Sequence, residues 1–204
     1  MKLNRITLLV DGGGFKRTAA WARIYADVEL AVAAVQWPPE SGAFTIYPER
    51  DSNGVKPIKA GFIAKLKERG WKPEERKARD DESTGSFRPG AFDAWLDLSE
   101  RGAKPFVVEW ETGNISSSHR AVNKMALGIV QGWLSGGLLV LPSRDLYKYL
   151  TDRVGNYREL EPYFPMWTAL DPPKGLLGIV EVEHDGTSTK VRRVAKGTDG
   201  RALI

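Results

Sequence analysis

The chain is predicted to be an α/β protein, a mixed central β-sheet flanked by helices. Three observations point there. Apolar runs of strand length recur at 106–111 (FVVEWE), 136–142 (GGLLVLP) and 176–183 (LLGIVEVE). Stretches with helical spacing of apolar residues separate them, most clearly at 115–133. The composition, 42% hydrophobic and 27% charged over 204 residues, suffices for one buried core. Strand, helix, strand, helix, strand in that order implies helices packed on a sheet. A single domain over 1–204 is expected.

Each element has its own grounds. After a short apolar entry, the first forty residues read as helical. Trp21, Ile24, Val28, Ala31, Val32 and Val35 fall near helical spacing, and WPPESG (37–42) ends the helix. FTI (44–46) is a short β-like segment. NGVKPIK (53–59) leads into a helix carrying Ile58, Phe62 and Leu66 and ending near Gly70. Residues 72–90, rich in charge, Ser, Gly and Pro, read as a mobile surface connection. FVVEWE is a strand by composition, with Trp110 facing away from its flanking glutamates. Ile115, Val122, Met125, Ala126, Ile129 and Trp133 mark the apolar face of the next helix. GGLLVLP, apolar throughout, is a central strand covered on both faces. Ser143 is the expected N-cap of a helix closing near Gly155. Residues 194–204 form an expected flexible C-terminal arm.

Several function classes are excluded. The chain has no cysteine, which removes disulfides, Cys-ligated zinc and thiol chemistry. Its apolar runs are too short to span a bilayer, and the N-terminus lacks a signal-peptide pattern, so the expected location is cytoplasmic. A net charge of +4 and a pI near 9.2 lean mildly towards polyanionic partners. DGGGFKRT (11–18) lacks phosphate-loop spacing, so nucleotide binding is rejected.

The chemistry concentrates after residue 106. Glu109 and Glu111 lie two apart on a strand, on one face and roughly 7 Å from each other. With no Cys and two His, a cation between them would be hard, Mg²⁺ or Mn²⁺ rather than Zn²⁺. Asp93 and Asp97 lie upstream and are candidates to complete an oxygen shell. From spacing alone, a solvated edge-strand face is the favoured reading. Glu181 and Glu183 have the same spacing but lack a comparable sequel. They are assigned to a solvated strand face and then a hairpin turn, EHDG. The residues after Glu111 are distinctive: TGNISSSHR places Asn114, Ser116, Ser117, His119 and Arg120 on the first turns of a helix. Ser116 and Arg120 are four apart, on one face. Asn and Arg are side chains that pair with base edges in a major groove. A capped helix with a polar outer face is the plain alternative. His119 is expected to be a hydrogen-bonding helix residue and His184 a turn residue. Lys56 and Lys59 are either phosphate contacts or, more commonly, solvent-facing.

The run VEWETGNISSSHRAVNKMALGI (108–129) closely resembles the BamHI family of type II restriction endonucleases. The resemblance continues through LYKYLTDRVGNYRELEPYF (146–164), WPPESGAFTI, NGVKPIK and KGTDG, and spans roughly residues 37 to 200. It implies the PD-(D/E)xK-type nuclease fold and Mg²⁺-dependent hydrolysis of a DNA phosphodiester, with Mn²⁺ a substitute. Glu109 matches a metal-binding acid. Glu111 stands where Lys usually stands in this fold. Asp93, in GAFDAW, matches the upstream metal-bridging acid, with Asp97 a lower-ranked rival, and Glu74 matches a further active-site acid. Asn114, Ser116, Arg120, Asp152 and Arg153 match base-reading positions. Gly197, Asp199 and Gly200 match an arm that touches the minor groove. The implied target is GGATCC, cut after the first G. A palindrome implies a homodimer, with the helix at 115–133 part core and part interface and the segment 143–154 its neighbour. It also implies a prokaryotic host with a cognate DNA methyltransferase. Two rivals stand beside this reading: a non-cutting sequence-specific DNA-binding protein on the same fold, and a repair nuclease of low specificity.

Overall fold

The computed structural model describes residues 1–73, 90–151 and 154–196. Its elements are β1 (Lys2–Gly12), α1 (Ala19–Ala33), β2 (Thr45–Ile46), α2 (Lys56–Glu68), β3 (Lys72–Pro73), β4 (Ala94–Leu96), β5 (Phe106–Trp110), α3 (Ile115–Val130), β6 (Gly136–Pro142), α4 (Arg144–Tyr147), α5 (Tyr157–Leu160), α6 (Phe164–Thr168), β7 (Gly175–Glu183) and β8 (Gly186–Thr187). Among the described residues the main sheet has six strands in the order β1-β7-β6-β5-β4-β3. Its centre, β5-β6-β7, is parallel, and β1, β4 and β3 join antiparallel. This is the expected mixed sheet. No described helix is long and apolar enough to cross a membrane.

The sheet is packed on both faces, and the two-residue period of its strands decides which side chain goes where. Phe106, Val108, Trp110, Leu138, Val140, Leu176 and Val180 enter one core, with Ile24, Val28 and Val32 of α1 and Ile58, Phe62 and Leu66 of α2. Val107, Leu139, Leu141, Leu177 and Ile179 enter the other, with Val122, Met125 and Ile129 of α3 and with Tyr157, Leu160 and Trp167. All seven residues of β6 are buried, as a strand covered on both faces requires. At Gly137 a Cβ would meet the Met125 side chain at 2.7 Å, so the missing side chain lets α3 approach β6 closely.

Three expectations fail. The first is the reading of the N-terminus as only a short apolar entry to a helix: the helix is present as α1, but the entry is an eleven-residue edge strand, Lys2–Gly12, paired along β7. Pairing with a distant strand decides its conformation, which local spacing does not report. The second is the helix from Ser143 to Gly155. Ser143 caps it as expected, accepting from the Leu146 N–H, but the helix stops at Tyr147. Beyond it the chain runs against 51–54. The Thr151 N–H donates to the Asn53 carbonyl (2.7 Å), the Asn53 N–H to the Tyr149 carbonyl (2.9 Å), and the buried Asn53 amide bonds the Tyr47 and Tyr149 carbonyls. A fully buried asparagine must satisfy its amide, and here it does so by drawing the chain out of the helix. The third is the solvated strand face at Glu181 and Glu183. Glu181 is buried against Arg5 of β1 at 2.7 Å. Glu183 accepts from the Ser143 hydroxyl and the His184 N–H, and meets His184 Nδ1. EHDG makes no hairpin, since β8 pairs in parallel with β2.

The expected connection at 72–90 lies mostly outside the described residues. Of the expected arm, Val194 is buried: its N–H donates to Asn53 Oδ1 (3.0 Å) and its carbonyl accepts from the Gly54 N–H (2.9 Å). Residues 197–204 lie outside the described set.

Burial alone would push the Glu183 carboxyl up, but hydrogen bonds from His184 and Ser143 outweigh it and hold the carboxyl below its ordinary value. A depressed carboxyl contributes stability above the unfolded-state pKa and loses it as pH falls through the folded value. Ser143→Ala removes both the cap and this donor. It should cost about 1–2 kcal/mol in urea unfolding at neutral pH, and the deficit should shrink in acid. A deficit that grows on acidification would contradict the assignment.

Candidate active site

The candidate acids meet where β5 ends. Strand parity turns Trp110 into the α1–α2 core, with its ring 5.0 Å from that of Phe62, and places Glu109 on the α3 side. Asp93, immediately before β4, accepts a hydrogen bond through Oδ2 from the Trp110 N–H at 2.8 Å. That bond fixes it beside the backbone between the two glutamates. Asp97 lies beyond the other end of β4, exposed, with Oδ1 accepting from the Ser99 N–H of the next turn. Asp93 is therefore the acid that accompanies Glu109, and Asp97 is not. The Glu111 carboxylate accepts from the N–H groups of Thr112 and Gly113 (2.9 and 2.6 Å), which braces the turn into α3. Glu74 lies outside the described residues.

Two lysines balance these acids, one from each face of the sheet. Lys59 of α2 stands 2.6 Å from Asp93 Oδ1, and Lys124 of α3 stands 2.9 Å from Glu109 Oε2. Sequence reasoning left Lys59 between phosphate contact and solvent, and did not single out Lys124. The signal for Lys124 was its place four residues after Arg120 on the same helix face.

Glu109 is the member of the set that burial perturbs. Its side chain is 19% exposed. Burial pushes its carboxyl above the ordinary value; Lys124 opposes this, while the Asp93 and Glu111 carboxylates add to it. Oε2 is buried, with the Lys124 ammonium 2.9 Å away as its ion-pair partner. A buried carboxylate oxygen of this kind, beside a second acid, suits a hard divalent cation, whose ligands are oxygens. Among the described residues, no three acidic or histidine side chains converge as a complete cation cage.

The residues expected to read base edges sit at the start of α3. Asn114 is its N-cap, with Oδ1 accepting from the Ser117 N–H at 3.2 Å. Asn114, Ser116 and Arg120 are exposed on the first turns. His119 is not poised as a base: its ring packs edge-on against Tyr163 (4.4 Å between centroids) and lies 5.6 Å from Trp167. Asp152 and Arg153 lie outside the described residues, as do Gly197, Asp199 and Gly200. The chain on both sides of 152–153 is anchored: Thr151 on Asn53, and Gly155 through its N–H to the Gly113 carbonyl (2.8 Å), beside Asn114.

A mixed sheet with helices on both faces, and acids at the end of a parallel strand that leads into a helix with exposed polar side chains, defines a nuclease of the restriction-endonuclease class. The comparisons with known proteins agree. The family model "Restriction endonuclease BamHI" matches residues 1–201. The type II restriction enzyme OkrAI of Oceanobacter kriegii is 45% identical over 203 residues, covering 100% of both chains. The type II restriction enzyme BamHI of Bacillus amyloliquefaciens is 34% identical over 179 residues, covering 86% of this chain and 81% of that one. The crystal structure of restriction endonuclease BglII complexed with a DNA 16-mer shares the fold, with a TM-score of 0.62 over 95% of this chain and 88% of that one, at 9% identity. The chain belongs to the BamHI family of type II restriction endonucleases and is a site-specific deoxyribonuclease. The family match reaches the first residues, beyond the 37–200 span over which the resemblance was legible.

Gly155 is tight against α3: a Cβ there would stand 2.5 Å from the buried Ser118 Oγ and 3.3 Å from Ile115 Cα. Gly155→Ala should cost about 1–3 kcal/mol of stability through overpacking and weaken binding of target DNA more than of random duplex. Equal loss for both, in a gel-shift competition, would show that the contact does not orient the reading residues.

Proposed function

We propose that this enzyme cuts double-stranded DNA at GGATCC after the first G, with Mg²⁺ as cofactor, leaving 5′-phosphate and 3′-hydroxyl ends. One observation carries the reading: the hydrogen bond from the Trp110 N–H to Asp93, which sets two acids at the head of the helix that exposes Asn114, Ser116 and Arg120. Asp93 and Glu109 are the cation ligands in this reading, with Glu74 a further acid of the site. A divalent cation held by them would supply Lewis-acid polarisation of a phosphoryl oxygen and of water and charge to offset that on the leaving oxygen. Glu111 orients the attacking water or takes its proton, and its bonds to the Thr112 and Gly113 N–H groups hold the carboxylate for that role.

Asn114, Ser116 and Arg120 read base edges from the start of α3. Asp152 and Arg153 read a G·C pair, Arg against guanine N7 and O6 and Asp against the cytosine amino group. Gly197, Asp199 and Gly200 follow the minor groove. A palindrome calls for a two-fold reader, so the enzyme acts as a homodimer with one active site per strand. Leu127 and Val130 on the outer face of α3, with Tyr163 and Met166 beside that helix, are exposed apolar groups suited to the dyad. The neighbour of α3 is then the segment 157–168, in place of 143–154, most of which is not helical. An enzyme of this specificity needs a cognate methyltransferase in its host.

The test is digestion of a sequenced plasmid with Mg²⁺, then sequencing of the product ends. The expected result is cleavage confined to G^GATCC, abolished in Glu109→Ala while target binding persists. Binding without cutting would favour a non-cutting DNA-binding protein. Ragged ends at unrelated sequences would favour a nuclease of low specificity, and either result overturns the proposal.

A further inference from the structure

Lys124 lies four residues after Arg120 and eight after Ser116, so the three side chains run along one stripe of α3. The stripe is open at Ser116 and Arg120 and closes at Lys124, whose side chain is only 10% exposed. There the ammonium meets three groups. It donates to the Ala91 carbonyl at 2.7 Å, stands 2.9 Å from Glu109 Oε2, and lies 4.2 Å from the centroid of the Phe92 ring. Ala91 and Phe92 immediately precede Asp93. One ammonium thus ties the reading helix to both acids: directly to Glu109, and through the 91–92 backbone to Asp93. A solvent-facing lysine has no need of such a setting, and a buried ammonium is costly unless it is paired. In this chain position 111 is a carboxylate, so β5 brings no positive charge of its own to the acids.

We infer that Lys124 is a positioning residue for the acid pair: its charge, entering from α3, holds Glu109 and the Asp93 segment together, and an arriving divalent cation must offset that charge to sit beside Glu109. The inference rests on the reading of Asp93 and Glu109 as cation ligands.

The test is Mn²⁺ titration of the DNA-free protein by calorimetry, with melting temperature measured in parallel. Lys124→Gln keeps a donor for the Ala91 carbonyl and removes the charge. It should bind Mn²⁺ about tenfold more tightly, or better, and gain more in melting temperature from Mn²⁺ than the wild type. Lys124→Arg should stay near wild type in both. Adding Glu109→Gln to Lys124→Gln should erase the gain. A Lys124→Gln protein with wild-type Mn²⁺ affinity, or equal changes in the Gln and Arg variants, overturns the inference. Should Lys124→Gln fold only with Mn²⁺ present, the cation is replacing the ammonium, as inferred. Should it fail to fold in either condition, Lys124→Arg decides: unchanged affinity supports the inference and altered affinity overturns it. If the wild type binds no Mn²⁺ even on duplex GGATCC DNA, the ligand reading fails and the inference with it. Glu109-dependent binding that ignores the charge at 124 refutes the inference alone.

Discussion

Carboxylates gathered at the end of a strand repel one another and resist burial, and that constraint organises this molecule. Asp93 and Glu109 are both mostly buried, and each is matched by a lysine from a different layer, Lys59 from α2 and Lys124 from α3. The balance depends on strand parity. Trp110 anchors β5 in one core, Glu109 faces the other, and the peptide N–H between the two glutamates pins Asp93. A one-residue slip of β5 would turn Glu109 into the apolar core and Trp110 out of it.

The remainder of the fold holds that junction in place. β6 lies beside β5 and β7 beside β6, all three parallel and β6 and β7 buried throughout their middle, so the acids stand at the carboxyl end of a parallel array, where open α/β sheets place their sites. α3 starts three residues after Glu111's neighbour Thr112, and its cap, Asn114, is itself one of the proposed reading residues. The acids and the proposed reading residues therefore lie within one short run of chain. The buried Asn53 gathers the Tyr47, Tyr149 and Val194 backbone and fixes the entry to 152–153, while Gly155 fixes the exit against Gly113.

Much of this was legible because it is local. The period of two in FVVEWE put Trp110 opposite the glutamates, and the continuous apolar run of GGLLVLP marked a strand covered on both faces. The period of α3 separated its core face from Asn114, Ser116 and Arg120. The illegible parts depend on partners far along the chain. Lys2–Gly12 is a strand because β7 lies beside it. The segment after Tyr147 leaves the helix because Asn53, almost a hundred residues earlier, requires its carbonyls. Glu181 looked solvated because Arg5 was not visible as its partner. Within the site, strand spacing marked Glu109 and Glu111 as candidates, and the resemblance to a family set them above a solvated strand face. The lysines that balance them were not legible as partners of the acids: Lys59 and, in register with Arg120, Lys124 could be placed on helix faces, but an ion pair between layers has no spacing in sequence.

The central claim is that β5 and the head of α3 form one unit that joins hydrolytic acids to a base-reading surface. A crystal structure of the enzyme on a duplex containing GGATCC, with Ca²⁺ in place of the catalytic ion, tests it most directly. The predicted result is Ca²⁺ at about 2.3–2.6 Å from carboxylate oxygens of Asp93 and Glu109, beside the phosphate after the first G. In the same complex Asn114 and Arg120 must reach base edges in the major groove. Ca²⁺ bound elsewhere, or α3 lying away from the groove while the acids hold the ion, would contradict it.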